Sequence, residues 1–215
     1  MPRRFLLVAG NIGAGKTTLT RQIAARLGWQ AGHETVADNP FLADFYADMR
    51  QWSFHLQVYF LGDRAEQHIR LAAGPRSAII DRSIYEDLHI FARALLEQGS
   101  MTQVEFDAYR RVFDLVVAGL PRPDLLLFLD APVPVLLERI RSRGRAIESG
   151  ISAEYLGLLD RFYREWLAGF DLCPVLTIPA DNLNFVTNER HIDIIIERIN
   201  EKLAGKEVVV FPDDL

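Results

Sequence analysis

The sequence predicts an α/β domain built on a five-stranded parallel sheet with helices on both of its faces. Short apolar runs alternate with amphipathic helical segments along the chain, the order a parallel sheet requires because each strand must be reached by a crossover. The first run, Phe5-Leu6-Leu7-Val8-Ala9, leads into Gly10-Asn11-Ile12-Gly13-Ala14-Gly15-Lys16-Thr17, which fits G-x-x-x-x-G-K-[ST] at every fixed position. Asp124 to Asp130 contains Leu-Leu-Leu-Phe-Leu, the continuous apolar run of a strand buried on both faces.

The elements follow in order. After the glycine loop, Leu19, Ile23 and Leu27 lie four apart on one helical face. Trp29 and Ala31 lead to His33-Glu34-Thr35-Val36, a candidate second strand. Asn39-Pro40 interrupts the chain, and Phe41, Leu42, Phe45, Tyr46 and Met49 then have helical spacing. A longer helix is predicted from Gln51 to about Leu71, ended by Gly74-Pro75. Ala78-Ile79-Ile80 is the third strand and delivers Asp81-Arg82-Ser83 at its C-terminal end. Ser83 is a possible N-cap for a helix to Glu97. Thr102-Gln103-Val104-Glu105 is a capping box opening a helix to about Ala118, broken by Pro121-Arg122-Pro123. After the fourth strand, Pro132 and Pro134 open a helix reaching Arg141. Ser152 starts another, to about Gly169. Pro174 to Ile178 is the fifth strand and Thr187 to Leu203 the last helix. The predicted organisation is one domain over residues 1–205, with a mobile lid at about 139–151 and a tail at 206–215 that is either an edge strand or ordered coil.

The composition narrows the function classes. A formal net charge of −5 gives no overall basic field for nucleic acid or an anionic membrane. A single cysteine, Cys173, excludes an internal disulfide and, with no secretory signal, suggests a cytoplasmic protein. No apolar run approaches a membrane span.

Glycines let successive backbone N–H groups point into one concavity, and the following helix adds its positive dipole end. The segment Gly10 to Thr18 is therefore read as a triphosphate cradle, with Lys16 reaching the β- and γ-phosphates and Thr17 at a Mg²⁺ position. Ligands in such sheets bind outside the carboxyl ends of strands, where Glu34 and Asp81-Arg82 are also predicted to lie. Asp81 is either a Mg²⁺ ligand, direct or through water, or a helix cap. Arg82 is either a stabiliser of phosphoryl charge or a surface ion pair. Glu34 is the best base for a hydroxyl acceptor. Four arginines, Arg139, Arg141, Arg143 and Arg145, fall in seven residues, as a lid closing over phosphates or as a solvated helix end. Gln57 and Arg64, seven apart, share a helical face and with Asp87 could read the edge of a base.

Taken together, these residues resemble the deoxynucleoside kinase family, and most of all its bacterial deoxyadenosine/deoxyguanosine kinases. The likeness runs from Phe5 to about Ile199. It rests on Gly10–Thr17, Glu34-x-Val36, Gln57 with Arg64, Asp81-Arg82-Ser83 with Asp87, and Arg139-x-x-x-Arg143-Gly144-Arg145-x-x-Glu148-x-Gly150-Ile151 followed by Glu154-Tyr155-Leu156. The resemblance implies a P-loop kinase fold with an arginine-rich lid, ATP as donor, Mg²⁺, and phosphorylation of a deoxynucleoside 5′-hydroxyl in nucleotide salvage. It makes Glu34 the general base, Arg82 the stabiliser of developing charge, and Thr17 with Asp81 the Mg²⁺ residues. It gives Tyr46 and Glu148 the 3′-hydroxyl, Gln57 paired hydrogen bonds to the base, Arg64 and Asp87 the charged pair beside it, and Phe91 the pocket wall. Arg139, Arg143 and Arg145 become lid arginines, and Asn184-Phe185 the turn that holds the donor's adenine. It also implies a homodimer through helices matching Ile84–Glu97 and Ser152–Gly169. The chain departs from the family pattern at Glu34-Thr35-Val36, where Glu-Pro-Val is common, and at Asp38-Asn39-Pro40, where an aromatic often stands.

Purine deoxynucleosides are the expected acceptors, although Arg64 and Asp87 present donors and acceptors to deoxycytidine as well. Pocket-shape differences of ~1–3 kcal/mol decide among them. A nucleoside monophosphate kinase of the thymidylate kinase kind would need cationic contacts to its acceptor's phosphate beyond Arg82. A nucleotide-dependent regulatory module would want an Asn-Lys-x-Asp segment or a water-positioning Gln, and neither is found.

Overall fold

The computed structural model describes residues 2–33, 39–145, 150–181 and 189–205. Five strands form one parallel sheet in the order β2-β3-β1-β4-β5: β1 (Phe5–Gly10), β2 (Gln30–Gly32), β3 (Ala78–Asp81), β4 (Leu125–Asp130) and β5 (Val175–Pro179). The helices are α1 (Lys16–Leu27), α2 (Leu42–Ala47), α3 (Met49–Ala73), α4 (Arg93–Glu97), α5 (Gln103–Ala118), α6 (Val133–Arg143), α7 (Ala153–Ala168) and α8 (Glu189–Leu203).

Two cores lie on the two faces of this sheet, and the central strands divide their side chains between them by the two-residue period of a strand. Phe5, Leu7 and Ala9 of β1, with Leu126 and Phe128 of β4, pack in a core with residues of α3, α5 and α7. Leu6 and Val8, with Leu125, Leu127 and Leu129, pack in the other with residues of α1, α6 and α8. This is why both runs are apolar throughout: neither face of the strand meets water.

Helix ends follow local chemistry. Thr102 accepts from the Glu105 N–H, and the Glu105 carboxylate accepts from the Thr102 N–H and hydroxyl, closing the expected capping box. The bonds from Thr102 hold the Glu105 carboxyl below its ordinary range. Because the folded-state value is depressed, the box's contribution is present at neutral pH and is lost as pH falls through that value. Thr102→Ala is expected to cost about 1 kcal/mol, read as a fall in Tm of about 2–4 °C by thermal unfolding at pH 7. An unchanged Tm would show that the box adds nothing to stability.

Three expectations change. The second strand occupies Gln30–Gly32, ahead of the predicted His33–Val36, and His33 lies outside it. As an edge strand it has no doubly buried run to mark it; its register comes from pairing with β3 and from the Gln30 N–H donating to Ser77 O at 2.9 Å. The helix after β3 is interrupted, with Asp87–Ala92 forming a π-helical turn ahead of α4. Ser83 does not cap it through its hydroxyl, which has no hydrogen-bond partner among the described residues; instead the Glu86 carboxylate accepts from the Ser83 N–H at 2.6 Å. No helix among the described residues is long and apolar enough to cross a membrane. The predicted tail lies outside the described residues.

Candidate active site

The chain reverses direction across the sheet at β1, and the crevice beyond the carboxyl ends of β1 and β3 holds the chemistry-bearing residues. The loop leaving β1 is shaped by glycine. Gly10 and Gly13 have φ of +148° and +85°, and a Cβ at Gly10 would lie 2.8 Å from the Leu129 carbonyl oxygen. Gly15, at φ +101°, opens α1 with no side chain capping the first-turn N–H groups. Those donors and the helix dipole make an anion site. Lys16 is buried, its Nζ donating to Gly10 O at 2.7 Å and Asn11 O at 3.0 Å. Thr18 lies in the same first turn. The loop's other side chains anchor it: Asn11 Nδ2 donates to Leu156 O at 2.9 Å, Asn11 Oδ1 accepts from the Ile12 N–H, and Ala14 is fully buried.

Thr17 Oγ1 donates to Asp81 Oδ2 at 2.5 Å. The second oxygen, Asp81 Oδ1, is buried without a hydrogen-bond partner among the described residues. A hydroxyl and a carboxylate, one oxygen unspent, fit a hard divalent cation. Among the described residues no three His, Cys, Asp or Glu side chains cluster as a metal cage. Mg²⁺ commonly needs only one or two such protein ligands and takes its other oxygens from water and substrate phosphates.

Arg82, directly after β3, is held by its surroundings in a left-handed backbone conformation, φ +72°. Its N–H donates to Val8 O at 3.0 Å, joining it to β1. Its guanidinium lies 4.5 Å from the Phe91 ring centroid and 3.7 Å from Glu86 Oε1. Both Arg82 and Phe91 line a cavity of about 820 Å³ that extends from Ile12 of the glycine loop to Gln57 and Arg64 of α3. At that end Arg64 forms a buried ion pair with Asp87, and its guanidinium lies 4.6 Å from the Phe60 centroid. Gln57 is also buried, with its Oε1 unpartnered among the described residues. Tyr46, half exposed on α2, contributes to the lining, as does Tyr155 of α7, whose hydroxyl is pushed up to about 12 chiefly by burial. Five predicted residues, Tyr46, Gln57, Arg64, Arg82 and Phe91, thus line one cavity, and a sixth, Asp87, is buried against Arg64.

A glycine loop at a helix N-terminus, a hydroxyl and a carboxylate that fit a cation, and a polar-ended cavity are parts that a phosphotransferase needs. Comparison with known proteins agrees. The Deoxynucleoside kinase family model matches residues 6–204. The chain belongs to the deoxynucleoside kinase family. It is 37% identical over 197 residues to the deoxyadenosine/deoxycytidine kinase of Bacillus subtilis, covering 91% of each chain. It is 34% identical to the deoxyguanosine kinase of Lactobacillus acidophilus, covering 97% of this chain and 94% of that one. The structure of deoxyadenosine kinase from M. mycoides with bound dATP superposes with a TM-score of 0.79 at 26% identity, covering 91% of this chain and 99% of that one. The kinase accordingly has the P-loop kinase fold, and the predicted reaction class stands.

The arginines predicted for a lid divide. Arg139 on α6 donates to Ala14 O at 3.3 Å and Ala180 O at 2.6 Å, tying the helix to the glycine loop and to the end of β5. Arg143, at the end of α6, and Arg145 beyond it are exposed, and neither lines the cavity. The predicted base Glu34, the 3′-hydroxyl residue Glu148, and the adenine turn Asn184-Phe185 lie outside the described residues. Sequence reasoning missed Glu86 and Tyr163, both fully buried beneath the loop: Tyr163 Oη lies 2.6 Å from Glu86 Oε1 and 2.9 Å from Gly10 O. The only local hint was Glu86 itself, an acid three residues after Ser83 in a capping-box position.

Proposed function

We propose that the kinase transfers the γ-phosphoryl group of ATP to the 5′-hydroxyl of a deoxynucleoside, preferring deoxyadenosine and deoxyguanosine, in nucleotide salvage. The observation that carries this reading is the cavity's polar end, where the Arg64–Asp87 pair and Gln57 converge opposite the glycine loop. An amide offers a donor and an acceptor side by side, the complement of adenine's neighbouring acceptor and N6 donor. The names of the two relatives include deoxyadenosine and deoxyguanosine, and that of the first also deoxycytidine.

In this reading the Gly10–Thr18 backbone cradles the donor's phosphates and Lys16 neutralises the oxygens of the group in flight. Thr17 and Asp81 would hold Mg²⁺, which when bound would supply positive charge against that of the donor's phosphates. Glu34 takes the proton of the attacking 5′-hydroxyl, and Arg82 stabilises the charge that develops there. Tyr46 and Glu148 hold the 3′-hydroxyl, and Phe91 packs on the base. Arg143 and Arg145 act from the lid side on the phosphates, Arg139 holds α6 against the glycine loop that carries them, and Asn184-Phe185 holds the donor's adenine. The enzyme works as a homodimer.

The test is phosphoryl transfer from ATP·Mg²⁺ to a panel of the four deoxynucleosides, their ribonucleosides and their 5′-monophosphates. Turnover of deoxyadenosine or deoxyguanosine with poor turnover of thymidine is expected. Thymidine turned over equally well would overturn the specificity, and turnover of monophosphates alone would overturn the acceptor.

A further inference from the structure

We propose that Glu86 and Tyr163 are positioning residues for phosphoryl transfer, setting the glycine loop and Arg82 at a fixed separation. This rests on the reading above that Arg82 acts at the transferred group.

The Glu86 carboxylate is fully buried. Its Oε2 accepts from the Ser83 N–H at 2.6 Å, which secures the turn that carries Arg82. Its Oε1 accepts from the Tyr163 hydroxyl at 2.6 Å and faces the Gly10 N–H at 3.4 Å and Arg82 Nη1 at 3.7 Å. One side chain thus touches the first residue of the donor's loop, the turn after β3, and the guanidinium itself. Tyr163 comes from α7, 77 residues further along the chain, and its hydroxyl also lies 2.9 Å from Gly10 O, the carbonyl that Lys16 Nζ grips at 2.7 Å. Burial, followed by the Glu86 charge, pushes the phenol well above its ordinary range, so it stays protonated and keeps a hydrogen to donate.

This arrangement does what a transfer reaction needs and a fold does not. The donor's phosphates are placed by the loop, and the acceptor side of the site by Arg82, which stands in a left-handed conformation that its residue type does not favour. Phe91 supports the guanidinium on the cavity side and Glu86 lies against it on the buried side. With the carboxylate neutralised, the loop and the arginine lose their common anchor, while the cavity walls that bind the nucleoside keep theirs. Reacting groups displaced by about 1 Å typically lose on the order of 10²-fold in rate.

The experiment compares wild type, Glu86→Gln, Tyr163→Phe and the double variant. It measures kcat and both KM values with deoxyadenosine and ATP·Mg²⁺, alongside Tm and calorimetric binding of deoxyadenosine. Glu86→Gln is expected to lower kcat by about 10- to 100-fold with both KM values within about threefold. Tyr163→Phe, which removes one oxygen, should give a smaller loss of the same kind, and the double variant should be no slower than Glu86→Gln alone. Folded variants with wild-type kcat, or with KM raised and kcat unchanged, overturn the proposal. If Glu86→Gln does not fold, Tyr163→Phe decides by the same criteria. Wild-type enzyme that turns over no deoxynucleoside would instead defeat the functional reading, and the two failures are thereby distinct.

Discussion

Replacing Lys16 by alanine is expected to lower kcat by about 10²–10³-fold while the fold stays intact. The ammonium is buried against Gly10 O and Asn11 O at the N-terminal end of α1, where the glycine loop and the helix dipole already favour anions. The backbone donors survive the substitution, so ATP still binds, and its KM should rise by less than kcat falls. What disappears is the positive charge able to follow the phosphoryl group as it separates from its leaving oxygen. Steady-state kinetics with ATP·Mg²⁺, with circular dichroism as a control for folding, check this. A Lys16→Ala enzyme with near-normal kcat would mean that the loop is not the site of the donor's phosphates.

The second large effect is on stability. Asp87→Ala is expected to cost about 3–5 kcal/mol, because it takes the carboxylate from a buried guanidinium. Asp87 is completely buried and Arg64 nearly so, and without the carboxylate the guanidinium is left with no opposite charge from Asp87, packed against Phe60. For a chain of this size that corresponds to a fall in Tm of about 6–20 °C. Replacing both residues by leucine should recover much of the loss, since two charges removed together leave neither unpaired. The double variant should nevertheless remain a poor kinase for purine deoxynucleosides, because the polar end of the cavity has gone. A Tm within 2 °C of wild type for Asp87→Ala, by thermal unfolding at pH 7, would show that Arg64 does not depend on this carboxylate.

Much of this protein is legible in the order of its residues, and for a physical reason. A phosphate loop is contiguous: the strand that leads in, the glycines that turn, and the helix that receives the anion occupy Phe5 to Leu27 without interruption. The central strands are equally plain, since burial on both faces leaves no position for a polar residue. The capping box at Thr102 is local chemistry and appears where it was predicted. Features that depend on distant partners were decided only by the tertiary structure. The edge strand β2 takes its register from β3 and not from its own apolar pattern. Arg139 belongs to a basic run that resembles a lid, yet packing directs its guanidinium to the carbonyls of Ala14 and Ala180. The π-helical turn at Asp87–Ala92 has no signature in a helical periodicity, although it carries both Asp87 and Phe91. Glu86 and Tyr163 show the limit most clearly. Alone, each is an unremarked acid or aromatic in a helix, and only the crossing of α7 beneath the glycine loop brings them together. The sequence by itself determined the central strands and the glycine loop between β1 and α1, because those rest on neighbours along the chain. The tertiary structure alone decided which buried polar groups hold the two halves of the site in register, because a hydrogen bond between residues 77 apart exists only once the chain has folded.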